Sequence, residues 1–296
     1  MREILRGVAI GLAALFVASA CGGGGGTGTP QASSTGATAS RPKFELSTYM
    51  YAIQSKGKLR AGVRDNQVPF GAKDPATGRF EGFDIDMVRE VAKGIFGEVS
   101  NIDDFIEYTA VVSANRIPGL TDNKFDVVAA TMTITAERKT QIDFSDVYFR
   151  AGQRVLVKKD NTAIAKIEDT NGKTVCAAKG STSEKNITAK APQAKLLLLD
   201  DYQACLKALQ NGQTDAISTD DAILFGLSYA DPNTKLVGPK FSDEPYGIGV
   251  KKDRTGFVDF INRTITAMIQ DGRWKALYDK HAGKVTGDSK RSPDDT

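Results

Sequence analysis

The apolar residues of this chain switch repeatedly between strand-like and helix-like spacing. Residues 58–63 alternate, which predicts a strand, and residues 84–96 carry apolar side chains three or four positions apart, which predicts a helix. A short apolar run at 127–130 is typical of a buried strand. Such alternation of β and α elements predicts an α/β fold with mostly parallel sheets covered by helices. Later elements are predicted as strands at 173–178, 215–219 and 246–250 and as helices at 201–211, from about 221, and at 257–272.

The first forty residues have the composition of an export signal followed by a tether. Arg2 and Arg6 precede an apolar run that is too short to span a bilayer, so residues 1–20 are predicted to be a secretory signal peptide. Cys21 directly follows Ala-Ser-Ala, which resembles a bacterial lipobox and predicts a lipidated N-terminus. Residues 21–43, rich in Gly, Ser and Thr, are expected to be a flexible linker. An ordinary cleavage site with an incidental cysteine is the alternative.

Charge and residue inventory exclude several function classes. Loss of residues 1–20 changes the net charge from +3 to +2, and no Lys/Arg cluster alternates with aromatic residues, so nucleic-acid binding is unsupported. His281 is the single histidine, which argues against a His-based nucleophile relay and excludes a multi-His metal site. Nucleotide-binding and serine-hydrolase motifs are absent, and no cofactor or metal is expected.

Two cysteines remain in the exported part of the chain. Cys176 lies in a predicted strand, and Cys205 lies on the apolar face of a predicted helix. An even pair in an exported protein predicts a disulfide between them. Two buried free thiols are the alternative.

Arg138 follows the run 127–130 after three threonines, Thr131, Thr133 and Thr135. Hydroxyls at a strand end with a guanidinium just beyond suit a small carboxylate, because the planar Arg fork donates two parallel hydrogen bonds. The alternative is structural, with Thr135 as a helix N-cap and Arg138 as a solvated surface charge.

Three other charged residues lie where ligands of α/β folds bind. Arg64 and Asp220 follow predicted strands, and Arg116 lies at the start of a helix. Arg138 and Asp220 have the charges that a zwitterionic amino acid needs. Arg64 and Arg116 would be costly to bury unless the ligand brings a second carboxylate. The alternatives are that Arg64 pairs with Asp65 or another nearby acid and that Arg116 has only a structural role.

Several motifs occur in an order that resembles a known family. These are GVRDNQVPFG, EGFDIDMV, SANRIP, TITAERK followed by IDFS, KGSTSEKN, and TDDAILFG followed by DEPYGIGVKK. Over residues 58–283 the chain is similar to the type II, cluster-3 amino-acid-binding proteins of bacterial ABC importers. It most resembles the glutamate/aspartate-binding branch.

This resemblance implies roles for individual residues. Arg64 and Arg116 would meet the ligand's side-chain carboxylate, and Arg138, supported by Thr182, would clamp the α-carboxylate. Asp220 would accept the α-ammonium group. The implied pocket is completed by Ser113, Thr131, Thr133 and Thr219, the last at a position where some relatives carry histidine.

The resemblance also implies a two-lobed periplasmic-binding-protein fold that closes around its ligand by hinge motion at two crossings, near 148–154 and 243–247. Lobe 1 is predicted at 44–150 plus 246–284, lobe 2 at 151–245, and a disordered tail at 285–296. The expected protein is a monomer that captures L-glutamate or L-aspartate, contacts ABC permease subunits, and is held at the outer face of the cell membrane by its lipid.

Two other functions share these residues. The first is a sensory lipoprotein that binds the same amino acid and signals to a membrane partner. The second is a dehydratase-like enzyme on the same fold with Asp220 or Asp65 as acid–base group, although ammonium binding by Asp220 leaves no spare base there.

Three smaller expectations concern acidic residues. Asp84, Asp86 and Glu90 are predicted to lie on the solvated first turns of a helix, and Asp221 is predicted to cap the helix that follows Asp220. Ligand affinity is expected to vary little between about pH 5 and 8, because none of the proposed site groups ordinarily titrates there.

Overall fold

The computed structural model describes residues 41–288 and 290–292. The predicted signal peptide, the lipidation at Cys21 and most of the linker lie outside the described residues. Within the described part, none of the helices combines the length and the apolar character needed to cross a bilayer.

The described chain alternates short strands and helices. The strands are β1 (Leu59–Val63), β2 (Asn66–Gln67), β3 (Gly71–Lys73), β4 (Phe80–Glu81), β5 (Ile106–Ala110), β6 (Val127–Ala129), β7 (Ile142–Phe144), β8 (Phe149–Ala151), β9 (Gln153–Lys158), β10 (Thr174–Ala178), β11 (Lys195–Leu199), β12 (Ala216–Asp220), β13 (Thr234–Val237), β14 (Glu244–Tyr246) and β15 (Gly249–Lys251). The α-helices are α1 (Tyr49–Lys56), α2 (Phe83–Phe96), α3 (Arg116–Thr121), α4 (Ala136–Lys139), α5 (Thr182–Lys190), α6 (Tyr202–Gln210), α7 (Asp221–Ala230), α8 (Thr255–Gln270), α9 (Arg273–Tyr278) and α10 (Lys284–Thr286).

Two five-stranded sheets define two lobes. The sheet of lobe 1 has the order β5-β1-β6-β15-β7, and the sheet of lobe 2 has the order β11-β10-β12-β9-β13. In each sheet one strand, β15 or β9, runs against the other four, so the sheets are mixed but mostly parallel, as the sequence predicts. The two-lobed α/β fold is thus confirmed. The small sheet β2-β3-β4 was not predicted.

A two-stranded sheet of β8 and β14 lies between the lobes. Its register pairs Glu244 with Ala151 and Tyr246 with Phe149. Both strands fall within the predicted crossings at 148–154 and 243–247. The lobe boundaries at residues 150 and 246 stay predictions.

Aromatic side chains bury this connection. Phe70 from lobe 1 lies with its ring centroid 5.1 Å from that of Phe149, and Phe149 stacks on Tyr246 at 5.5 Å. The indole nitrogen of Trp274 donates to the Tyr148 carbonyl at 2.8 Å. Burial of each such ring stabilises the fold by about 1.5–3 kcal/mol, so the junction is a packed core.

The predicted disulfide is present. Cys176 in β10 and Cys205 in α6 are bonded, with Cα atoms 5.6 Å apart. The bond ties α6 to the strand that leads into α5.

The acidic residues at the start of α2 are buried, which contradicts the prediction of solvated turns. Asp84 accepts hydrogen bonds from the Tyr148 hydroxyl and the Thr131 N–H. Asp86 pairs with Arg89, Lys280 and His281, and Glu90 pairs with Lys93 and Arg273. Arg89 and Lys93 are local partners on α2, but the other partners come from distant segments, and local spacing does not reveal the burial that they cause.

The predicted tail is described in part. Residues 285 and 286 lie in α10, and the guanidinium carbon of Arg291 lies 4.3 Å above the centre of the Phe149 ring. Residues 289 and 293–296 lie outside the described residues, so disorder at the end of the chain stays a prediction.

Candidate functional site

A small cavity of about 220 Å³, part of it open to solvent, lies between the two lobes. The cavity is lined from lobe 1 by Arg64, Ser113, Arg116, Thr131 and Thr133, and from lobe 2 by Ser181, Thr182, Ser183, Tyr202, Thr219, Asp220 and Ile223.

Arg64 follows β1 directly and is 2 % exposed. Its Nη1 donates to the Val111 carbonyl at 3.0 Å, and its Nη2 donates to the Ser113 hydroxyl at 2.7 Å. Its Nε is buried and makes no hydrogen bond to the described residues. Burial lowers the pKa of this guanidinium, which reflects the cost of holding its charge away from water.

Arg116, the first residue of α3, lies beside it and is equally buried. Its Nη1 donates to the carbonyls of Ala130 and Thr131, and its Nε donates to the Ser113 carbonyl. Burial and the like charges of Arg138 and Arg64 lower its pKa. Within residues 41–288 and 290–292, neither Arg64 nor Arg116 forms an ion pair, so the proposed pairing of Arg64 with Asp65 is not seen.

Arg138 lies behind the cavity wall and spans the two lobes. The Thr135 hydroxyl caps α4 by accepting from the Arg138 N–H, so the N-cap alternative is right for Thr135. The Arg138 side chain is nevertheless buried, with hydrogen bonds to the carbonyls of Thr133 at 2.7 Å and Gly180 at 3.4 Å. The alternative of a solvated Arg138 is therefore wrong.

Thr131 has a strained backbone beside the cavity. Its φ of 47° is in the left-handed region, which is unusual for a β-branched residue and costs about 1–3 kcal/mol. Asp84 accepts from its N–H at 2.8 Å, and its hydroxyl accepts from the Gln67 amide at 3.0 Å. These two contacts hold Thr131 against the cavity.

Asp220 ends β12 and is the negative group of the lobe 2 wall. Its Oδ2 accepts from the Tyr246 hydroxyl at 2.5 Å, while its Oδ1 is buried without a hydrogen-bond partner in the described structure. Burial and the charges of Glu244 and Asp221 raise its pKa to about 8. This raised pKa argues against the expected flat pH dependence of ligand affinity, which assumes an ordinary pKa for Asp220.

Asp221 does not cap α7, contrary to the prediction. One carboxylate oxygen accepts from the Gly152 N–H at 3.2 Å, and the other pairs with Lys240 at 2.9 Å. Asp220 occupies the N-cap position of α7 without capping it through its side chain. The two neighbouring acids thus have different roles: Asp220 lines the cavity, and Asp221 forms contacts within lobe 2.

The rest of the lobe 2 wall is made of hydroxyl groups. Ser183 contacts both the Tyr202 hydroxyl and the Thr219 hydroxyl at 3.1 Å. Ser181 precedes α5, yet no side chain caps this helix, and the Ser181 hydroxyl oxygen is buried with no partner among the described residues. The N-terminus of α5 therefore keeps its capacity to hold an anion.

The structure brings together eight of the nine predicted ligand residues, with Arg138 immediately behind them. It adds Tyr202 and Ile223, which fall in predicted helices without a predicted site role, and Ser183, which lies in α5, a helix that the sequence analysis does not predict. It also adds Glu244, buried behind the wall, where the only signal was an acid inside the predicted crossing.

The chemistry of the cavity is that of a zwitterion site. Arg64 Nε, Ser181 Oγ and Asp220 Oδ1 are the buried atoms around it that lack a partner among the described residues. Burying polar atoms without hydrogen bonds costs free energy. A ligand that carries both a positive and a negative charge could form the missing hydrogen bonds. No group of three or more His, Cys, Asp or Glu side chains that could hold a metal is found in the described chain.

Residues 59–284 match the bacterial extracellular solute-binding proteins, family 3. The glutamine-binding protein GlnH of an ABC transporter of Bacillus subtilis is 40% identical, with 95% of this chain and 97% of GlnH covered. The glutamate-binding protein GluB of Corynebacterium glutamicum is 31% identical, covering 80% of this chain and 82% of GluB.

A solved ancestral arginine-binding protein bound to arginine is similar at 39% identity and a TM-score of 0.70, covering 76% of this chain and 97% of its own. The glutamine-binding relative is thus more similar than the glutamate-binding one, so placement in the glutamate/aspartate branch is not established by likeness. The chain belongs to the family 3 bacterial extracellular solute-binding proteins, and it is an amino-acid-binding protein of ABC import and not an enzyme.

Proposed function

We propose that this protein captures an acidic amino acid, L-glutamate or L-aspartate, by closing its lobes around it. The observation that carries this proposal is the pair Arg64 and Arg116, two buried guanidinium groups that line the cavity without an acidic ion-pair partner in the described residues. A ligand side-chain carboxylate could accept hydrogen bonds from both guanidinium groups and would reduce their net charge. A neutral side chain would leave them uncompensated.

The other end of the ligand is expected to meet charges of opposite sign. The α-ammonium group would lie at Asp220 Oδ1, which lacks a partner in the described structure. The α-carboxylate would lie at the uncapped N-terminus of α5, near Arg138, whose guanidinium has more N–H donors than the two that bond the Thr133 and Gly180 carbonyls. The three roles use both lobes, so the complete site exists only when the lobes are closed.

Contacts at the mouth of the cleft support closure. Asn66 of lobe 1 donates to Asp201 of lobe 2 at 3.0 Å, and Glu137 of lobe 1 pairs with Lys185 of lobe 2. These exposed contacts are worth little individually. A ligand that bridges the lobes would therefore supply most of the differential free energy of closure.

Glutamine is the second candidate, supported by the 40% identity to GlnH, a glutamine-binding protein. Its amide oxygen could accept from one arginine, but its amide N–H₂ would face a second guanidinium and could only donate. Arginine, the ligand of the ancestral protein, would add a third cation to the same wall. Both features favour an acid.

A thermal-shift panel of the twenty amino acids tests this proposal. We expect the largest stabilisation with glutamate or aspartate, because at a fixed ligand concentration the stabilisation of the folded state grows with the logarithm of the affinity. Stabilisation by glutamine or arginine alone would refute acid specificity and leave the amino-acid-binding function intact.

We further propose that lipidated Cys21 anchors the protein to the outer face of the cell membrane and that the protein delivers its amino acid to permease subunits. Export of a lipidated chain is supported by the N-terminal composition, and delivery by the family. A sensory role would use the same pocket. Loss of radiolabelled glutamate uptake on gene deletion supports import, whereas unchanged uptake with an altered cellular response to glutamate supports sensing.

A further inference from the structure

Glu244, at the start of β14, is a buried carboxylate enclosed by neutral donors. Its Oε2 accepts from the hydroxyls of Thr133 at 2.7 Å and Thr182 at 2.8 Å. Its Oε1 accepts from the Asn186 amide and the Ser242 hydroxyl, both at 2.7 Å. No Lys, Arg or His among the described residues forms an ion pair with it, and it does not line the cavity.

The two threonines that donate to Glu244 do line the cavity. Thr133 belongs to lobe 1 and Thr182 to lobe 2, and their hydroxyl oxygens are 3.5 Å apart. Each hydroxyl has one proton, so a hydroxyl that donates to Glu244 can only accept from any other group. Toward the cavity, both oxygens therefore present lone pairs.

These lone pairs border the same small cavity as the Asp220 oxygen that lacks a partner in the described residues, with Thr133 on the lobe 1 side and Thr182 and Asp220 on the lobe 2 side. Three acceptors around one small cavity match an ammonium group, which has three N–H donors and no acceptor. They do not match a carboxylate, which can only accept. The hydrogen-bond direction set by Glu244 thus decides which end of a zwitterion fits here.

We propose that Glu244 is a positioning residue for ligand recognition. By accepting hydrogen bonds from the hydroxyls of Thr133 and Thr182, it makes this part of the cavity an acceptor site for the α-ammonium group. The inference rests on the proposed function in requiring an amino-acid ligand, though not an acidic one. It also changes the role implied for Thr182, whose hydroxyl no longer has a proton for the α-carboxylate. Asn186 and Ser242 hold the Glu244 carboxylate in place from the opposite side.

The test compares Glu244→Gln with wild type, using isothermal titration of the purified protein. Glutamine keeps the size of the side chain but replaces one acceptor oxygen by an N–H₂ donor, which competes with the threonine protons. We expect affinity for L-glutamate to fall about tenfold or more, the effect of losing a hydrogen bond to a charged group. Affinity for glutarate, which lacks the amino group, is expected to change less than about twofold.

A double-mutant cycle tests the same inference without measuring the binding of glutarate, which is expected to bind weakly. Thr133→Val and Thr182→Val together delete the hydroxyls through which Glu244 is inferred to act. In that background Glu244→Gln should lower affinity by no more than about twofold, since coupled residues are not additive. Thr133→Ser, which keeps a hydroxyl, is the matched control and should retain the full effect of Glu244→Gln.

Each outcome decides the inference. An equal loss for glutamate and glutarate, or an undiminished loss in the double-valine background, would overturn it, because Glu244 would then act as a general structural residue or through its charge on Asp220 instead of through the two hydroxyls. If wild type prefers glutamine, acid specificity fails but the cycle is run with glutamine and its des-amino analogue. If wild type binds no amino acid, the proposed function and this inference fall together before any variant is compared.

Discussion

Gly226 in α7 of lobe 2 lies directly against Val68 of lobe 1. A Cβ atom added at Gly226 would be 1.9 Å from the Val68 carbonyl oxygen, well inside contact distance. Gly226→Ala is therefore expected to keep the lobes apart and to lower ligand affinity about tenfold or more, since the ligand must then stabilise a strained closed state. Titration calorimetry measures the affinity, and small-angle scattering with saturating ligand measures closure.

Gly256→Ala is the matched control for this substitution. Nothing lies within 4 Å of a Cβ at Gly256, so neither affinity nor closure should change. A Gly226→Ala protein that closes and binds like wild type would show that the contact with Val68 is not part of the closed form.

Arg64→Ala is expected to weaken glutamate by about 10- to 100-fold and glutamine by only a few-fold. The difference arises because a charge-assisted hydrogen bond contributes about 1.5–3 kcal/mol, more than a neutral one. Competition titration with both ligands measures the two losses in one protein. Arg263→Ala, at an exposed arginine of α8, controls for loss of a positive charge and should change neither. Equal losses for both ligands would contradict acid recognition by Arg64.

Ligand affinity is expected to rise with pH between about 5 and 8. In the ligand-free protein the pKa of Asp220 is raised to about 8, chiefly by burial and then by Glu244 and Asp221, against the effects of Tyr246 and Arg116. An ammonium group beside Asp220 favours the ionised carboxylate, so binding below pH 8 releases a proton. The affinity gain is at most about tenfold per pH unit.

The same pKa shift acts on stability with a definite sign. Because the folded pKa of Asp220 lies above its ordinary value of 3.8, the folded state holds the proton more firmly, and this stabilisation is lost as pH rises through about 8. Asp220→Asn should flatten both the stability profile and the binding profile over this range. Urea unfolding and calorimetry at several pH values measure the two, and profiles with an unchanged slope in the variant would assign the proton to another group.

Reduction of the Cys176–Cys205 disulfide is expected to lower the free energy of unfolding by about 3–4 kcal/mol. The bond closes a loop with a sequence separation of 29 residues, and the estimate follows from the lost chain entropy of the unfolded state. Urea unfolding with and without dithiothreitol measures the difference. A protein with both cysteines replaced by alanine should be less stable and insensitive to the reductant.

Much of the fold follows from local patterns. The alternation of 58–63, the helical spacing of 84–96 and the apolar run 127–130 correspond to β1, α2 and β6. Periodic hydrophobic spacing identifies β1 and α2, and an uninterrupted apolar run identifies β6. The two-residue strands β2 and β4 are too short to show a period, so the small sheet that they form with β3 was not predicted.

The site was predictable where a charge follows a strand and was missed where two distant segments meet. Arg64 and Asp220 stand at strand ends, which the pattern marks as ligand positions. Tyr202 and Glu244 reach the site only through packing of α6 and of β14 against other elements, and Asp84 is buried by partners far along the chain. Tertiary contacts of this kind leave no periodic signal in one sequence.

The most direct test of acidic amino-acid capture is isothermal titration of residues 41–296 with L-glutamate, L-aspartate, L-glutamine and L-arginine. We expect saturable binding of an acidic ligand with a Kd of about 1 μM, equivalent to about −8 kcal/mol, and binding of glutamine at least about tenfold weaker. Glutamine or arginine binding more tightly than both acids would contradict the assignment of Arg64 and Arg116 to a ligand carboxylate.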